Sequence, residues 1–499
     1  MAPRLQTLVP MTLQALQSAL PLLTATVLLP ACSTSTDNAD LETEGAETEA
    51  PSSTAPGDES DASGTSAAGD GDASAGDGDG DGDPTSAGDG DGDPTSGGDG
   101  DGDGDGDGDG DGDGDGDGDG DGVLTPAPAG LVSLVAASAQ PVSVAHCAID
   151  PSGDVYVTWQ RDVGGGNADI FLSRLPVGAT GIDATVPVEE GPITPLGSWG
   201  SAARKPYVAT DGNRVAVGYG TYPNGSSWLS ISSSLQPLSM NNAIEVGSTT
   251  TADVEEFQKP MFRPDGNIWV AWHWTRSDLS PVEEHVALSR EEDGWAFETV
   301  SDGAPGEPCD CCPLDIQANA AGDVLVAYRN NNANVRDHYV TRSVDGGTFS
   351  APVPGSSTGW TVFGCPVSGP RVLGLAGDDA LLTWADPTSG APRVWVAHSD
   401  DAGQTWAGDH LIHDAGGTQQ LPTMGYAEDG RVWLAYSLLG DTGRLTASED
   451  GGATFSTPII IDTADGSLDG MEFCTGGGRA GAVGVTTSGA LYWVELPMR

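Results

Sequence analysis

One phrase recurs seven times along the C-terminal three quarters of this 499-residue chain. It consists of a turn rich in Gly, Asp or Asn, a few alternating apolar residues, and a closing aromatic. The closing aromatics, which lie 60, 53, 56, 56, 52 and 57 residues apart, are Trp159, Tyr219, Trp272, Tyr328, Trp384, Tyr436 and Trp493. Short strands and turns repeated at this period are typical of an all-β radial propeller. The repeat predicts seven four-stranded blades, with six blades and a decorated edge as the alternative.

The order of strands within a repeat can also be predicted. A polar residue, often followed by proline, opens an innermost strand, and the repeated phrase then forms a turn and the second strand. A third strand alternates apolar and polar residues, as in Val394-Trp395-Val396. The last repeat ends at Arg499, soon after its predicted second strand. We therefore expect residues 131–144 to supply its outer strands, which would close the ring and remove an exposed sheet edge.

Residues 1–31 have the composition of an export signal. Arg4 is the only charge, and an apolar stretch runs to Leu28-Leu29-Pro30-Ala31-Cys32. The end of this stretch resembles the lipobox of bacterial lipoproteins. The resemblance implies cleavage before Cys32, lipid attachment to its sulfur and, because Ser33 follows, sorting to the outer membrane or cell surface. An ordinary signal peptide with a chance cysteine is the alternative.

Residues 32–125 are rich in Asp and Gly. Between 33 and 122 there are 30 Asp or Glu residues and no Lys or Arg. Such a segment has no apolar surface to bury and its carboxylates repel one another, so it is predicted to be a disordered stalk. Weak Ca²⁺ binding is the alternative, although the apolar positions that fold calcium-binding repeats are missing.

The predicted propeller, residues 126–499, keeps a net charge of about −26. A domain this acidic lacks the basic face that nucleic-acid phosphates require, so a nucleic-acid partner is not expected. We expect a monomer that contacts the membrane only through its lipid anchor. No motif in the chain predicts a cofactor or a metal-binding site.

Three repeats carry a second motif between their third and fourth predicted strands. It begins at Ser399, Ser448 and Ser343 and reads S-x-D-x-G-x-T-W/F, with one residue fewer in the third copy. It resembles the Asp-box of the sialidase superfamily. We expect the aspartate to accept backbone N–H bonds, the glycine to supply a positive φ, and the aromatic to fill the space between sheets. These roles are structural, so no catalytic role is assigned to the motif.

The resemblance to sialidase-like Asp-box propellers covers nearly the whole predicted domain. A set of exported bacterial members shares the patterns Cys309-Asp310-Cys311-Cys312 and Gly364-Cys365-Pro366-Val367-Ser368-Gly369-Pro370. The resemblance implies a surface-anchored propeller that binds acidic, sialic-acid-type glycans and could hydrolyse them as an exo-α-sialidase-like glycosidase. A non-catalytic ligand- or protein-binding propeller is the alternative, because fold alone does not determine function.

The same resemblance implies candidate site residues. Asp310 would be the acid, Glu255 or Glu256 the activating carboxylate, and Tyr426 the nucleophile. The ligand-binding candidates, mostly cations that could hold a carboxylate, are Arg204, Lys205, Lys259, Arg329, Arg336, Trp360 and Arg479. For each cation alone, an ordinary ion pair with a neighbouring acid is the alternative. The Arg-Ile-Pro signature of the family's first blade is missing, and Arg204-Lys205-Pro206 is the nearest phrase.

Six cysteines follow Cys32. In an exported protein disulfides persist, so all six are disulfide candidates. Cys147 begins the first repeat and Cys474 precedes the last, and a bond between them would close the ring. Two further disulfides, with their pairing left open, are expected among Cys309, Cys311, Cys312 and Cys365. A metal or redox module built on these four is the alternative.

Overall fold

The computed structural model describes residues 127–499 except 166, 190–204, 222–225, 248–252, 320, 365, 389, 391, 413–418 and 439–442. Every regular element in this part of the chain is a β-strand, and the strands form seven antiparallel sheets. The prediction of an all-β propeller with seven blades is confirmed. The predicted leader and stalk, and with them Cys32, lie outside the described residues, as do Arg204 and Cys365. None of the described residues belongs to a helix that could cross a membrane.

The first strand, β1 (Gly130–Val135), precedes the blades. Blade 1 comprises β2 (Val142–Ile149), β3 (Val155–Gly164), β4 (Asn167–Leu175) and β5 (Ala184–Pro187). Blade 2 comprises β6 (Tyr207–Thr210), β7 (Val215–Thr221), β8 (Ser226–Leu235), β9 (Leu238–Met240) and β10 (Ile244–Glu245). Blade 3 comprises β11 (Asp253–Phe262), β12 (Ile268–Arg276), β13 (Glu283–Arg290) and β14 (Phe297–Thr299).

Blade 4 comprises β15 (Glu307–Pro308), β16 (Asp315–Ala318), β17 (Val324–Asn331), β18 (His338–Ser343) and β19 (Val353–Pro354). Blade 5 comprises β20 (Arg371–Gly374), β21 (Ala380–Asp386), β22 (Arg393–Ser399) and β23 (Ala407–Leu411). Blade 6 comprises β24 (Gln419–Tyr426), β25 (Val432–Leu438), β26 (Gly443–Ser448) and β27 (Ile459–Ile460). Blade 7 comprises β28 (Asp462–Thr463), β29 (Gly466–Gly476), β30 (Arg479–Thr486) and β31 (Leu491–Glu495), with β1 at its outer edge.

The repeated aromatics pack each blade against the one before it. Trp272, on the second strand of blade 3, shares an apolar cluster with Leu229 and Val246 of blade 2. Trp384 of blade 5 packs in the same way with Leu325 of blade 4. Both indoles are fully buried. Aromatic side chains bury about 150–250 Å² each, so these contacts dominate the apolar stabilisation between neighbouring blades.

The last blade differs from the prediction. Trp493 lies on β31, the third strand, and not on the second. At the position on β30 that corresponds to the other aromatics stands Gly484, where an added Cβ would lie 3.1 Å from side-chain atoms of Leu468 and Met471. Blade 7 therefore takes four strands, β28 to β31, from the C-terminal part of the domain, and a single N-terminal strand, β1, pairs with β31 to complete it.

Two of the three Asp-boxes, those that begin at Ser399 and Ser448, have the predicted backbone hydrogen bonds to the aspartate. In the first copy the Thr405 amide donates to Asp401 Oδ1 at 2.8 Å, and the Gly403 amide donates to Ser399 Oγ at 2.8 Å. The copy that begins at Ser448 repeats both bonds at the same distances. Each motif joins the third and fourth strands of its blade.

The Asp-box glycines also bring adjacent blades together. Gly403 has φ +86°, and a Cβ there would lie 2.8 Å from Leu325 of blade 4. Gly452 has φ +95°, and a Cβ there would lie 2.7 Å from Leu381 of blade 5. A residue with a side chain would be strained at both positions, by its backbone angle and by this close approach.

Candidate functional site

Seven side chains occupy one equivalent position on the innermost strands. Each is paired in its sheet with the residue immediately before the repeated aromatic, or before Gly484 in blade 7. In blade order the seven are His146, Tyr207, Lys259, Asp315, Arg371, Thr423 and Glu472. We call this set the axial ring. The regular register of the blades thus brings residues from the whole domain to one level of the central channel.

Ion pairs cross the axial ring. The Glu472 carboxylate of blade 7 is paired with the Lys205 ammonium, which enters from just before blade 2. It also lies 3.4 Å from Arg371 Nη2 and 3.9 Å from His146 Nε2. A second pair joins Lys259 to Asp315 of the next blade. Glu472 therefore links blades 1, 2, 5 and 7 through one carboxylate.

Tyr207 and the backbone complete the arrangement. The Nζ atoms of Lys205 and Lys259 lie 5.9 Å and 5.6 Å from the centroid of the Tyr207 ring, within the range of a cation–π interaction. Asp315 Oδ2 accepts a hydrogen bond of 2.9 Å from the Val372 amide of the next blade. The charged groups are thus held by several partners, as buried charges require.

A cavity of about 250 Å³ extends from the axial ring along the channel. It is lined by six ring residues, all but Tyr207, and by the residues that follow the ring position on all seven innermost strands. A pocket lined by the polar residues that open the innermost strands would lie at the starts of those strands. This cavity instead lies on the side where those strands end.

Burial and charge set the protonation of the ring. Burial lowers the pKa of Lys205 to about 8 despite the attraction of Glu472. Burial raises the pKa of Glu472, but Lys205, Arg371 and His146 outweigh it and bring the value to about 2. Both partners are therefore charged at neutral pH. Burial holds the pKa of His146 well below 6.5, so its imidazole is neutral.

The axial ring and Lys205 together contain more basic than acidic side chains. Lys205, Lys259 and Arg371 are basic, whereas Asp315 and Glu472 are the two acidic partners in their ion pairs. All five side chains are at most 10% exposed. A basic group without an acidic partner is costly to charge away from bulk water unless an anion lies beside it. The cavity beside the ring is where such an anion would fit.

Two of the predicted ligand-binding cations, Lys205 and Lys259, belong to this ion-pair network. Arg479 does not share it: its guanidinium pairs with Glu495 at 3.0 and 2.5 Å and also donates to the Gly153 carbonyl. It lies at the start of β30, in the turn that follows the innermost strand of blade 7.

Arg329 and Arg336 are held by backbone carbonyls. Arg329 is fully buried and donates to Ser368, Arg336 and Ala385 at 2.6–3.0 Å, with its guanidinium carbon 5.0 Å from the centroid of the half-buried Trp360. Arg336 donates to the Gly364 carbonyl at 2.9 Å. The structure thus brings Arg329, Arg336 and Trp360 together in blade 4, in a set of contacts of their own.

The predicted catalytic residues are distributed over three places. Glu255 and Glu256 are buried near the start of β11, where Glu255 accepts a hydrogen bond of 2.7 Å from the Ser227 amide. Asp310 is half-buried in blade 4. Tyr426, at the end of β24, packs against an apolar cluster between blades 5 and 6.

Asp310 has a carboxyl neighbour that sequence reasoning missed. Glu284, at the start of the third strand of blade 3, has its pKa raised to about 8 by burial and by the charges of Asp310, Cys309 and Glu307. At neutral pH this carboxyl group is mostly protonated. Nothing in the sequence around Glu284 distinguishes it from an ordinary surface glutamate.

Sequence reasoning also missed Asp315 and Arg371. Polar residues that precede proline mark the starts of innermost strands, but they do not all lie at the ring position. A better signal was present, because each ring residue lies 12 or 13 residues before the repeated aromatic or Gly484. Counting back from Tyr328 and Trp384 would have identified both residues.

The predicted disulfide between Cys147 and Cys474 is present. It joins β2 of blade 1 to β29 of blade 7, with the Cα atoms 6.0 Å apart. Each cysteine follows a ring residue at a distance of one or two positions, so the disulfide borders the axial cavity. It also crosses the junction at which the ring of blades closes.

No family model matches the chain, and no curated protein matches it. Several solved structures are similar to the chain in fold. The chain is 13% identical to a Hadza microbial sialidase, with a TM-score of 0.41 over 71% of this chain, and it spans 65% of the sialidase's length.

Two other structures have comparable similarity. An ulvan lyase is 11% identical, with a TM-score of 0.44, covering 74% of this chain and 96% of its own. An α-L-arabinanase of Penicillium chrysogenum is 12% identical, with a TM-score of 0.38, covering 75% and 98%. Likenesses this distant concern the fold alone, so the ligand has to be inferred from the residues of this chain.

Proposed function

We propose that this protein is a propeller that binds a small organic anion in the axial cavity, with acidic sugars as the ligand class. The surplus of basic over acidic side chains in the axial ring and Lys205 carries the proposal. A carboxylate in the cavity would pair with Arg371 and Lys259, and a guanidinium suits a carboxylate in geometry as well as in charge. The cavity of about 250 Å³ is small for a ligand site, which favours a single sugar acid.

The ring favours binding over catalysis. A general acid works best with a pKa near the working pH, whereas the pKa of Glu472 is about 2. Asp315 is held by Lys259 and by two backbone amides, those of Val372 and Ile316. Glu472 is therefore not poised to transfer a proton at neutral pH, and the Asp315 carboxylate is engaged by three partners.

Calorimetry with matched sugars tests the proposal. Glucuronate and N-acetylneuraminate should bind, whereas glucose, which lacks the carboxylate of glucuronate, should not. Equal binding of glucose and glucuronate, or binding of no acidic sugar, would overturn the assignment.

Two ring variants test the electrostatic cause in opposite directions. Arg371→Gln removes a positive charge and should weaken anion binding by at least about tenfold, which corresponds to 1.4 kcal/mol. Glu472→Gln removes a negative charge and should strengthen it. Loss of structure would weaken binding in both variants, so opposite shifts separate charge from misfolding. Arg499→Gln, which removes an exposed cation paired with Glu449, is the matched control and should leave binding unchanged.

Glycoside hydrolysis is a second candidate function, favoured by Glu284. A protonated carboxyl group beside Asp310 is the arrangement in which one acid can donate a proton while the other stays ionised. Release of dye from a fluorogenic sialoside by the wild type, but not by Glu284→Gln, would support hydrolysis at Glu284 and Asp310. Absence of dye release from the intact protein would rule out this candidate for sialosides and leave the binding proposal standing.

We also infer export and attachment to a membrane through a lipid on Cys32. The Cys147–Cys474 disulfide supports this inference, because disulfides persist mainly in oxidising compartments. Metabolic labelling with an alkyne fatty acid should mark the wild type and not a Cys32→Ala variant. Equal labelling of the two proteins, or of neither, would contradict the anchor.

A further inference from the structure

The innermost strand of blade 4 is interrupted by a cysteine-rich turn. Its two parts, β15 and β16, both pair with β17, and the residues between them contain Cys309-Asp310-Cys311-Cys312. The Cys309 amide donates to the Arg329 carbonyl at 2.8 Å, and the Cys312 amide donates back to the Cys309 carbonyl at 3.1 Å. This turn places the thiols of Cys309 and Cys312 on the same side, and both residues are at most 1% exposed.

The two thiols lie close together. Cys309 Sγ is 2.9 Å from Cys312 Sγ, whereas Cys311 is already bonded in a disulfide. The three sulfurs lie within 4.8 Å of one another, which would suit a metal if all three were thiolates. Two thiolates on a tetrahedral zinc ion lie about 3.7 Å apart, given Zn–S bonds of about 2.3 Å. The bonded state of Cys311 and the short Cys309–Cys312 distance both favour redox chemistry over metal binding.

Arg329 supplies a charge for this pair. Its guanidinium is fully buried, and its hydrogen bonds go to backbone carbonyls, which carry no net charge. The negative groups that act on it are first Cys312, then Cys309 and Asp386. Burial raises the pKa of the Cys312 thiol, but the hydrogen bond from Cys309 and the charge of Arg329 outweigh it and lower the pKa below the ordinary value. The same hydrogen bond, with burial, raises the pKa of Cys309.

We propose that Cys309 and Cys312 are a peroxide-reactive dithiol, in which Cys312 is the attacking sulfur and Cys309 the resolving one. The Cys312 thiolate attacks one oxygen of hydrogen peroxide, which breaks the O–O bond, forms a sulfenic acid and releases hydroxide. The Cys309 sulfur then attacks Cys312 Sγ, a disulfide forms, and its proton leaves with the sulfenic oxygen as water. The dithiol loses two electrons, and peroxide is reduced to two molecules of water. An oxidant this small is required because neither sulfur is open to a protein or a bulky disulfide.

The position of Arg329 determines how readily the pair is reduced again. When the disulfide closes, the Cys312 thiolate is lost. The buried Arg329 guanidinium then lacks the negative group that acts on it most strongly. The reduced form is therefore favoured by the protein, and the disulfide is a strong oxidant that a small thiol such as dithiothreitol reopens. This behaviour should distinguish it from the Cys147–Cys474 disulfide, which closes a long loop.

Thiol mapping of the full-length protein tests the proposal. The native protein is treated with dithiothreitol, freed of reductant, exposed to hydrogen peroxide, denatured with an alkylating reagent and analysed by peptide mass spectrometry. Cys309 and Cys312 should both be alkylated before peroxide and joined in a disulfide after it, while Cys147 and Cys474 stay bonded throughout. Two alkylated thiols after peroxide, a disulfide that resists reduction in the native protein, or a co-purifying metal would each overturn the proposal.

Variants assign the two roles. In Cys309→Ser the reaction should stop at a sulfenic acid on Cys312 that dimedone traps, whereas Cys312→Ser should not react. Arg329→Gln should slow the reaction at least about tenfold, and Arg329→Lys, which keeps the charge, should restore part of the rate. If Cys312→Ser reacts as fast as the wild type, Cys312 is not the attacking sulfur, even where the arginine variants fail to fold.

Discussion

Replacing Glu472 by Gln should destabilise the propeller more than any exposed substitution. The pKa of Glu472 is about 2, against an ordinary value of 4.5. At 1.36 kcal/mol for each pKa unit, this difference corresponds to about 3 kcal/mol of stabilisation. Loss of one member of a buried ion pair costs about 3–5 kcal/mol in other proteins, because the remaining charge is left buried. We therefore expect the free energy of unfolding at pH 7 to fall by about 3–5 kcal/mol.

The pH dependence gives the same prediction a second test. Because the pKa of Glu472 is lower in the folded state than in the unfolded state, its stabilisation is complete above about pH 4.5 and is lost as the pH falls toward 2. Urea denaturation should show that the Glu472→Gln variant loses less stability than the wild type over this range.

Glu449→Gln is the matched control. It breaks an ion pair with Arg499 in which both side chains are nearly half exposed, and it should cost less than about 1 kcal/mol. If both variants lie within 1 kcal/mol of the wild type, the axial ring does not hold the blades together as argued.

Three further changes have defined expectations. Replacing both Cys147 and Cys474 by Ser removes a cross-link between residues 327 positions apart and should lower the free energy of unfolding by about 4 kcal/mol, with no change in secondary structure by circular dichroism. Asp401→Ala removes acceptors for the amide and hydroxyl of Thr405 and should cost about 1–2 kcal/mol in thermal denaturation without altering anion binding, since the Asp-box is distant in the fold from the axial ring. His273, whose pKa burial lowers to about 3, stays neutral in the folded protein while the unfolded chain takes up a proton below pH 6.5. The wild type should therefore lose about 2 kcal/mol more than His273→Phe between pH 7 and pH 5, and equal losses would contradict this account.

The repeat predicted the architecture well because one physical requirement recurs in every blade. An aromatic on the second strand must fill the space against the preceding blade, and six of the seven closing aromatics do this. The seventh shows the limit of the pattern. Gly484 replaces the aromatic where Leu468 and Met471 already fill the space, and the last copy of the sequence phrase ends instead at Trp493, on the next strand. Because Trp493 lies on the third strand of blade 7 and not on the second, the sequence pattern predicts one outer strand too few at the C-terminal end of the domain.

The site was predicted only in part, since its contacts are long-range. Lys205 and Lys259 were identified by their type and position, but their partners could not be. Lys205 and Glu472 are 267 residues apart, and nothing local to either residue encodes the pairing. Arg371 directly follows the Gly364–Pro370 pattern, which the family resemblance explains without giving Arg371 a role of its own. The register of the sheets, which only coordinates supply, turns these separate residues into one ring.

The position of β1 has a consequence for the order of assembly. This strand precedes all seven blades in the chain, yet its partner β31 is the last strand of the domain. Blade 7 therefore cannot close until β31 has been synthesised, after all the other strands of the domain. A product that ends before β31 would leave β1 and β30 without the strand that lies between them. A quality-control protease could recognise incomplete copies by these two unpaired strand edges.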